Sequence, residues 1–171
     1  MLQTKTLSLN KNIALSIIKF AVLLAIAVVT PALIHNQPIT GPIVNAVLFL
    51  GVVLLGAQNA ILLGLMPSVV ALSFGLLPAP LAPMIPFIML SNVILVITFS
   101  YLRKKNFWLG AIAASLIKFA FLYATSFAVI NLITQKPLAQ KAAQMMSYPQ
   151  LLTALAGALL AYIILKTFKK N

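Results

Sequence analysis

Lys118 is the residue whose type and position raise the sharpest chemical question. It falls about ten residues after Trp108, in an apolar run from about Trp108 to Ile133. At 1.5 Å per residue this puts it about 15 Å deep if the run crosses a membrane. Inserting a lysine near the midplane costs about 2.5–3.5 kcal/mol, so a functional role is the default expectation. The sequence contains no Asp and no Glu. A counter-charge must then come from a ligand, a partner subunit, a lipid or water, or else the amine is uncharged. The competing expectation is a side chain that snorkels to an interface.

Asn92 lies about midway along the preceding apolar run, which crosses in the opposite direction, so its depth should resemble that of Lys118. The two side chains could face one cavity, although an intramembrane Asn more often makes a helix-to-helix hydrogen bond than a ligand contact. Tyr123, Ser126 and Asn131 lie farther out on the helix of Lys118. Tyr123 and Asn131 are the stronger candidates for substrate contact, against packing or interfacial anchoring. On the same outer side, His35, Asn36 and Gln37 in a first loop and Asn45 just inside the second helix form a small polar group. His35 and Asn45 join the candidate substrate contacts. A lone His lacks the further ligands a metal site needs, and no acid is present to orient it as a base. The stretch Thr134–Tyr148 is long enough to fold over a site as a lid, or to lie at headgroup level as a short amphipathic helix.

Composition restricts what these residues can serve. Of 171 residues, 63% are hydrophobic, against roughly 45–50% in a soluble domain, and the mean hydropathy is +1.11. With 12 basic residues and no acidic ones the formal charge is +12. Most of the basic residues flank apolar runs, as juxtamembrane charges do, and no stripe of Arg interleaved with aromatics points to nucleic acid. Proton-coupled pumps, magnesium-dependent transferases and carboxylate hydrolases all require an acid that this chain lacks. The absence of Cys likewise removes thiolate catalysis, thiolate metal sites and disulfides. The chain therefore reads as a non-enzyme with no catalytic group, metal or cofactor. Too few polar residues are available to line a passive pore.

The elements that position the candidates are apolar helices. The pattern predicts an all-α, polytopic integral membrane protein forming one domain, with about six spans near 13–34, 42–55, 60–77, 83–101, 108–133 and 149–168. The first run is too long for the apolar segment of a cleaved signal, so it is expected to remain as a span. The apolar stretch Ile43–Leu77 would reach roughly 50 Å as one helix, and Gly56 to Asn59 is its natural break. Charge favours two crossings there. With six spans, Lys5, Lys11, Arg103, Lys104, Lys105, Lys166, Lys169 and Lys170 share a face against Lys136 and Lys141. With five spans the split is four against six. The expected location is the cell membrane, with both termini cytoplasmic. Lys19 is expected to snorkel to that face, and Gln58 and Asn59 to cap the second turn.

Ala21 and Ala25, with Ala14 and Ala27 nearby, form a small-residue face that admits a second helix closely. Packing inside the chain and docking of a partner both fit such a face. A basic six-span chain of this length, with this alanine patch and a polar outer face, resembles the substrate-binding S components of energy-coupling factor (ECF) transporters. The stretch Met66-Pro67-Ser68-Val69-Val70-Ala71-Leu72-Ser73-Phe74-Gly75 also resembles that family's apolar third-span segment after a Pro. The resemblance implies that Ala21 and Ala25 dock on a transmembrane coupling subunit driven by two cytoplasmic ATPases. It also implies that a vitamin or other micronutrient is held near the outer face. Where the family often has a polar or acidic residue after the Pro-led segment, this chain continues with Gly75 and Leu76, and the substrate stays open. With no P-loop and no carboxylate, any energy source must lie in another chain. The leading expectation is a subunit that captures a small organic solute with an anionic group for Lys118. The alternative is a non-transporting membrane scaffold or assembly helper that uses the same small-residue faces.

Overall fold

The computed structural model describes residues 2–34, 36–73, 79–132 and 136–168. The candidate His35, the expected outer ends of the third and fifth spans at 74–77 and 133, and the basic pair Lys169 and Lys170 lie outside the described residues. Among the described residues seven α-helices follow one another: α1 (Leu2–Leu33), α2 (Gln37–Leu54), α3 (Ala57–Ser73), α4 (Ile85–Leu102), α5 (Phe107–Leu132), α6 (Lys136–Met145) and α7 (Pro149–Phe168), with a 3-10 segment Ala79–Met84 leading into α4. No strand occurs among the described residues.

Among the described residues five stretches are long and apolar enough to cross a membrane: Lys11–Leu33, Gln37–Leu54, Ala82–Leu102, Phe107–Asn131 and Lys136–Phe168, with Ala57–Val70 a shorter apolar helix. The protein is thus an all-α polytopic membrane protein with five to six apolar helices. The short member is α3, whose 17 residues reach about 25 Å against a hydrocarbon core of about 30 Å.

Local chemistry explains where the helices start and stop. α1 begins at Leu2, well before the apolar run, because residues 2–12 contain neither Gly nor Pro and nothing breaks the helix. α2 begins at Gln37, earlier than the Pro42 expected to open it. The extended Asn36 precedes it and Pro38 fills the first turn, where a missing N–H is harmless. α2 stops at Leu54 because Gly56 takes φ +88°, a left-handed conformation open to glycine at little strain. Asn59 then returns its side-chain amide to the Leu55 carbonyl at 3.0 Å and ties down the turn.

α2 is the central helix, packed by α1, α3, α4 and α7. Its residues Asn45 to Val52 are all buried, as expected of a helix enclosed on every side. In lipid the apolar effect does not pull helices together, so small residues that admit close backbone contact decide the packing. Gly157 of α7 lies so near α2 that a Cβ there would stand 2.6 Å from Asn45 Cβ and 2.7 Å from the Pro42 carbonyl oxygen. Gly41 of α2 meets Thr153 of α7 in the same way. At the end of the bundle where α1 begins, Phe49, Phe99 and Phe107 stack edge to face, with ring centroids 4.7 and 5.3 Å apart. At the opposite end a separate cluster of Met84, Leu122, Val129, Ala139, Ala142 and Met146 seals α6 and the 3-10 segment onto α5.

The stretch foreseen as lid or amphipathic helix thus contains a ten-residue helix. Ala139 and Ala142 are buried, and Lys136, Gln140 and Gln144 are exposed. Its last carbonyl, at Met145, accepts hydrogen bonds from Gln37 Nε2 at 3.4 Å and Gln150 Nε2 at 2.9 Å, which pin that end to α2 and α7.

Candidate functional site

Lys118 lies on the inward face of α5. At 100° per residue, Ala111, Ala114, Ser115, Leu122 and Val129 all fall within about 60° of it around the helix, and all five are buried. Lys118 itself is only 3% exposed, so its ammonium is enclosed within the bundle rather than lying among headgroups. Nζ donates to Asn45 Oδ1 at 2.7 Å and to Asn92 Oδ1 at 2.8 Å.

Both asparagines are oriented by their second polar atom. Asn45 Nδ2 donates to the Gly41 carbonyl one turn back on α2 at 2.9 Å, and Asn92 Nδ2 donates across to the Gly64 carbonyl of α3 at 2.8 Å. With each amide nitrogen committed to a carbonyl, each amide oxygen is turned toward the lysine. One level of the bundle therefore ties α2, α3, α4 and α5 together. Glycine permits the approach at Gly64, where a Cβ would stand 3.1 Å from Asn92 Cβ.

Two of an ammonium's three donors are thus taken by neutral amides, which supply partial charges and no counter-ion. With no acid anywhere in the sequence, a positive charge here is uncompensated by the chain itself.

The remaining candidates are distributed differently. Asn45, grouped in the sequence with the outer loop, belongs instead to the level of Lys118. Because α2 starts at Gln37, Asn45 lies about 12 Å along it. Tyr123 is five residues beyond Lys118, about 140° around the helix. It is 51% exposed and packs beside Phe119 and Phe127 on the outward surface. Asn131 is exposed for the same reason of phase. The structure brings neither of them to Lys118. Ser126 is buried but donates to the Tyr123 carbonyl at 2.6 Å within its own helix. Ala21 and Ala25 are exposed on α1, whereas Leu23 and Ala27 turn inward and are buried.

Sequence reasoning missed the carbonyls of Gly41 and Gly64 and the close packing of Gly157. A backbone acceptor has no residue-type signal, so Gly41 and Gly64 could not have been singled out. Gly157 could have been, since Ala154, Gly157, Ala158 and Ala161 recur at helical spacing and are all buried. Met84, Leu122 and Met146 are fully buried in the cluster that joins α5 to α6 and the 3-10 segment.

Comparison with known proteins adds an independent finding. The family model described as "ECF transporter, substrate-specific component" matches residues 15–167. No curated protein and no solved structure matches the chain. Members of that family are transporter subunits rather than enzymes, and they associate with a membrane coupling component and ATPases. A multi-pass bundle that lacks acids and has a cation buried at its centre fits that role. With the match running through all seven helices, the chain belongs to the substrate-specific component family of ECF transporters.

Proposed function

We propose that this substrate-specific component captures a small organic solute with an anionic group, of the vitamin or micronutrient class, at the outer face of the cell membrane. The observation that carries the reading is the enclosed Lys118 ammonium, held by two neutral amides in a chain with no carboxylate. The anionic group of the solute becomes the missing partner of Nζ, with Asn45 and Asn92 as the neutral contacts beside it. A charge-assisted bond of this kind contributes about 1.5–3 kcal/mol, enough to favour an anion over its neutral analogue by tenfold or more. Entry from the α6 side requires α6 and the 3-10 segment to draw back from α5, onto which Met84, Leu122 and Met146 pack them.

Orientation is supported by charge: the α1 start, the α4–α5 turn and the end of α7 carry most of the basic residues, which suits a cytoplasmic face. The exposed Ala21 and Ala25 then form the surface that meets the transmembrane coupling subunit, with two cytoplasmic ATPases providing the energy. The test is native mass spectrometry of the gently extracted protein to identify a retained solute, repeated on Lys118→Ala. Loss of that solute from a variant that still unfolds cooperatively is the expected result. Undiminished retention would remove Lys118 from the capture mechanism.

A further inference from the structure

Among the described residues Lys118 is the only charged side chain that is buried. Beside Asn45 and Asn92, the buried polar side chains are the hydroxyls of Thr40, Ser91, Ser115, Ser126 and Thr153. Each hydroxyl donates to a backbone carbonyl three or four residues earlier, at 2.6–3.2 Å. A hydroxyl has one proton to give, so these groups have only lone pairs left for a ligand. Both asparagines turn the amide oxygen to Nζ and the nitrogen to a carbonyl.

The backbone adds no donor at this level. Asn45, Asn92 and Lys118 all lie beyond the first turn of α2, α4 and α5, where N–H groups are taken by the helices' own ladders. One positive charge and one free donor position on Nζ therefore face a set of acceptor oxygens.

This balance restricts the solute more narrowly than an anionic group alone. A phosphate monoester carries about −1.5 to −2 charge at neutral pH and three strong acceptor oxygens. Phosphate sites meet that demand with helix N-termini or arginine forks, and neither is present at this level. A dianion would leave one negative charge uncompensated in the interior and would place its oxygens against those of Asn45 and Asn92. A cationic group on the solute has no acid to meet it. From this arrangement we infer that the solute is a monocarboxylate without phosphate or amine, with a hydroxyl or N–H close to its carboxylate. The carboxylate pairs with Nζ, and the neighbouring donor meets an amide oxygen of Asn45 or Asn92. The inference rests on the reading of Lys118 as the solute's partner.

The experiment passes a water-soluble metabolite extract over immobilised full-length protein and identifies retained solutes by fragmentation, in parallel with Lys118→Ala. The solute whose retention falls about tenfold or more on that change is expected to be a monocarboxylate with an adjacent donor. A phosphate ester, a dicarboxylate, a zwitterion or a neutral solute that depends on Lys118 would overturn the inference and leave the lysine in the capture mechanism. A solute kept equally by Lys118→Ala, or none kept at all, would remove the capture reading and this inference with it. Asn92→Asp conserves size and sets a carboxylate beside Nζ, so the pair neutralises itself and the monocarboxylate should be lost to the same degree. If Lys118→Ala does not fold, that variant decides, and full retention by it would overturn the inference.

Discussion

A double-mutant cycle on Lys118 and Asn92 tests the polar level at the centre of the bundle. Lys118→Met removes two charge-assisted hydrogen bonds, each contributing about 1.5–3 kcal/mol, for a gross loss of about 3–6 kcal/mol. The same change relieves the roughly 2.5–3.5 kcal/mol penalty of a central lysine. The net destabilisation should therefore lie between about 0 and 3 kcal/mol. Asn92→Leu acts differently. It removes one charge-assisted bond and the bond to the Gly64 carbonyl, together about 2–4.5 kcal/mol, and leaves the ammonium with one amide fewer. The single asparagine change should thus destabilise at least as much as the lysine change. In the double variant the penalties should fail to add, with a coupling energy near 1.5 kcal/mol. That is the upper range for hydrogen bonds between membrane helices and the lower range for charged ones. Reversible unfolding in mixed micelles, followed by helix content, gives all four values. Strict additivity, with coupling below about 0.5 kcal/mol, would show that the ammonium does not depend on Asn92 and would refute the arrangement.

Three further substitutions separate packing, backbone and docking. Gly157→Ala puts a methyl where Asn45 Cβ and the Pro42 carbonyl already stand, and should destabilise by about 1–3 kcal/mol, read as a lowered unfolding midpoint in detergent. Gly56→Ala meets no atom within 4 Å, and only its φ of +88° resists the side chain. It should destabilise by about 1–2 kcal/mol with the interior packing unchanged, as judged by the near-ultraviolet signal of the Phe107, Trp108 and Tyr162 cluster. Ala21→Leu with Ala25→Leu alters exposed positions only, so stability should hold within about 0.5 kcal/mol while co-purification with the coupling subunit is lost. Co-purification that persists at full yield would move the docking surface elsewhere.

Among these features, the membrane, the helices and the buried cation were legible in the residues themselves. An apolar run of about 20 residues has one stable home, and a lysine ten residues into such a run cannot reach water easily whatever its neighbours do. The absence of acids was equally plain, and it excludes an internal counter-ion without any coordinates. The company kept by that cation was not legible. Depth alone pairs Asn92 with Lys118, which follows from antiparallel helices counted at 1.5 Å per residue. A helix opening at Pro42 puts Asn45 just inside α2, beside the outer-loop residues, whereas Asn36 and Pro38 open α2 more than a turn earlier and carry Asn45 inward.

Tyr123 and Asn131 sit at a plausible height on α5, yet helical phase turns both outward. Height depends on distance along the chain, which a sequence records directly. The direction a side chain faces is meaningful only relative to neighbouring helices, and those are set by close contacts such as Gly157 on Asn45 and Gly64 on Asn92. The sequence by itself thus determined the solvent, the element type and the unmatched charge. Only the tertiary structure decided which polar groups meet that charge, because the contacts that rotate and seat the helices join residues 26 and 73 positions apart.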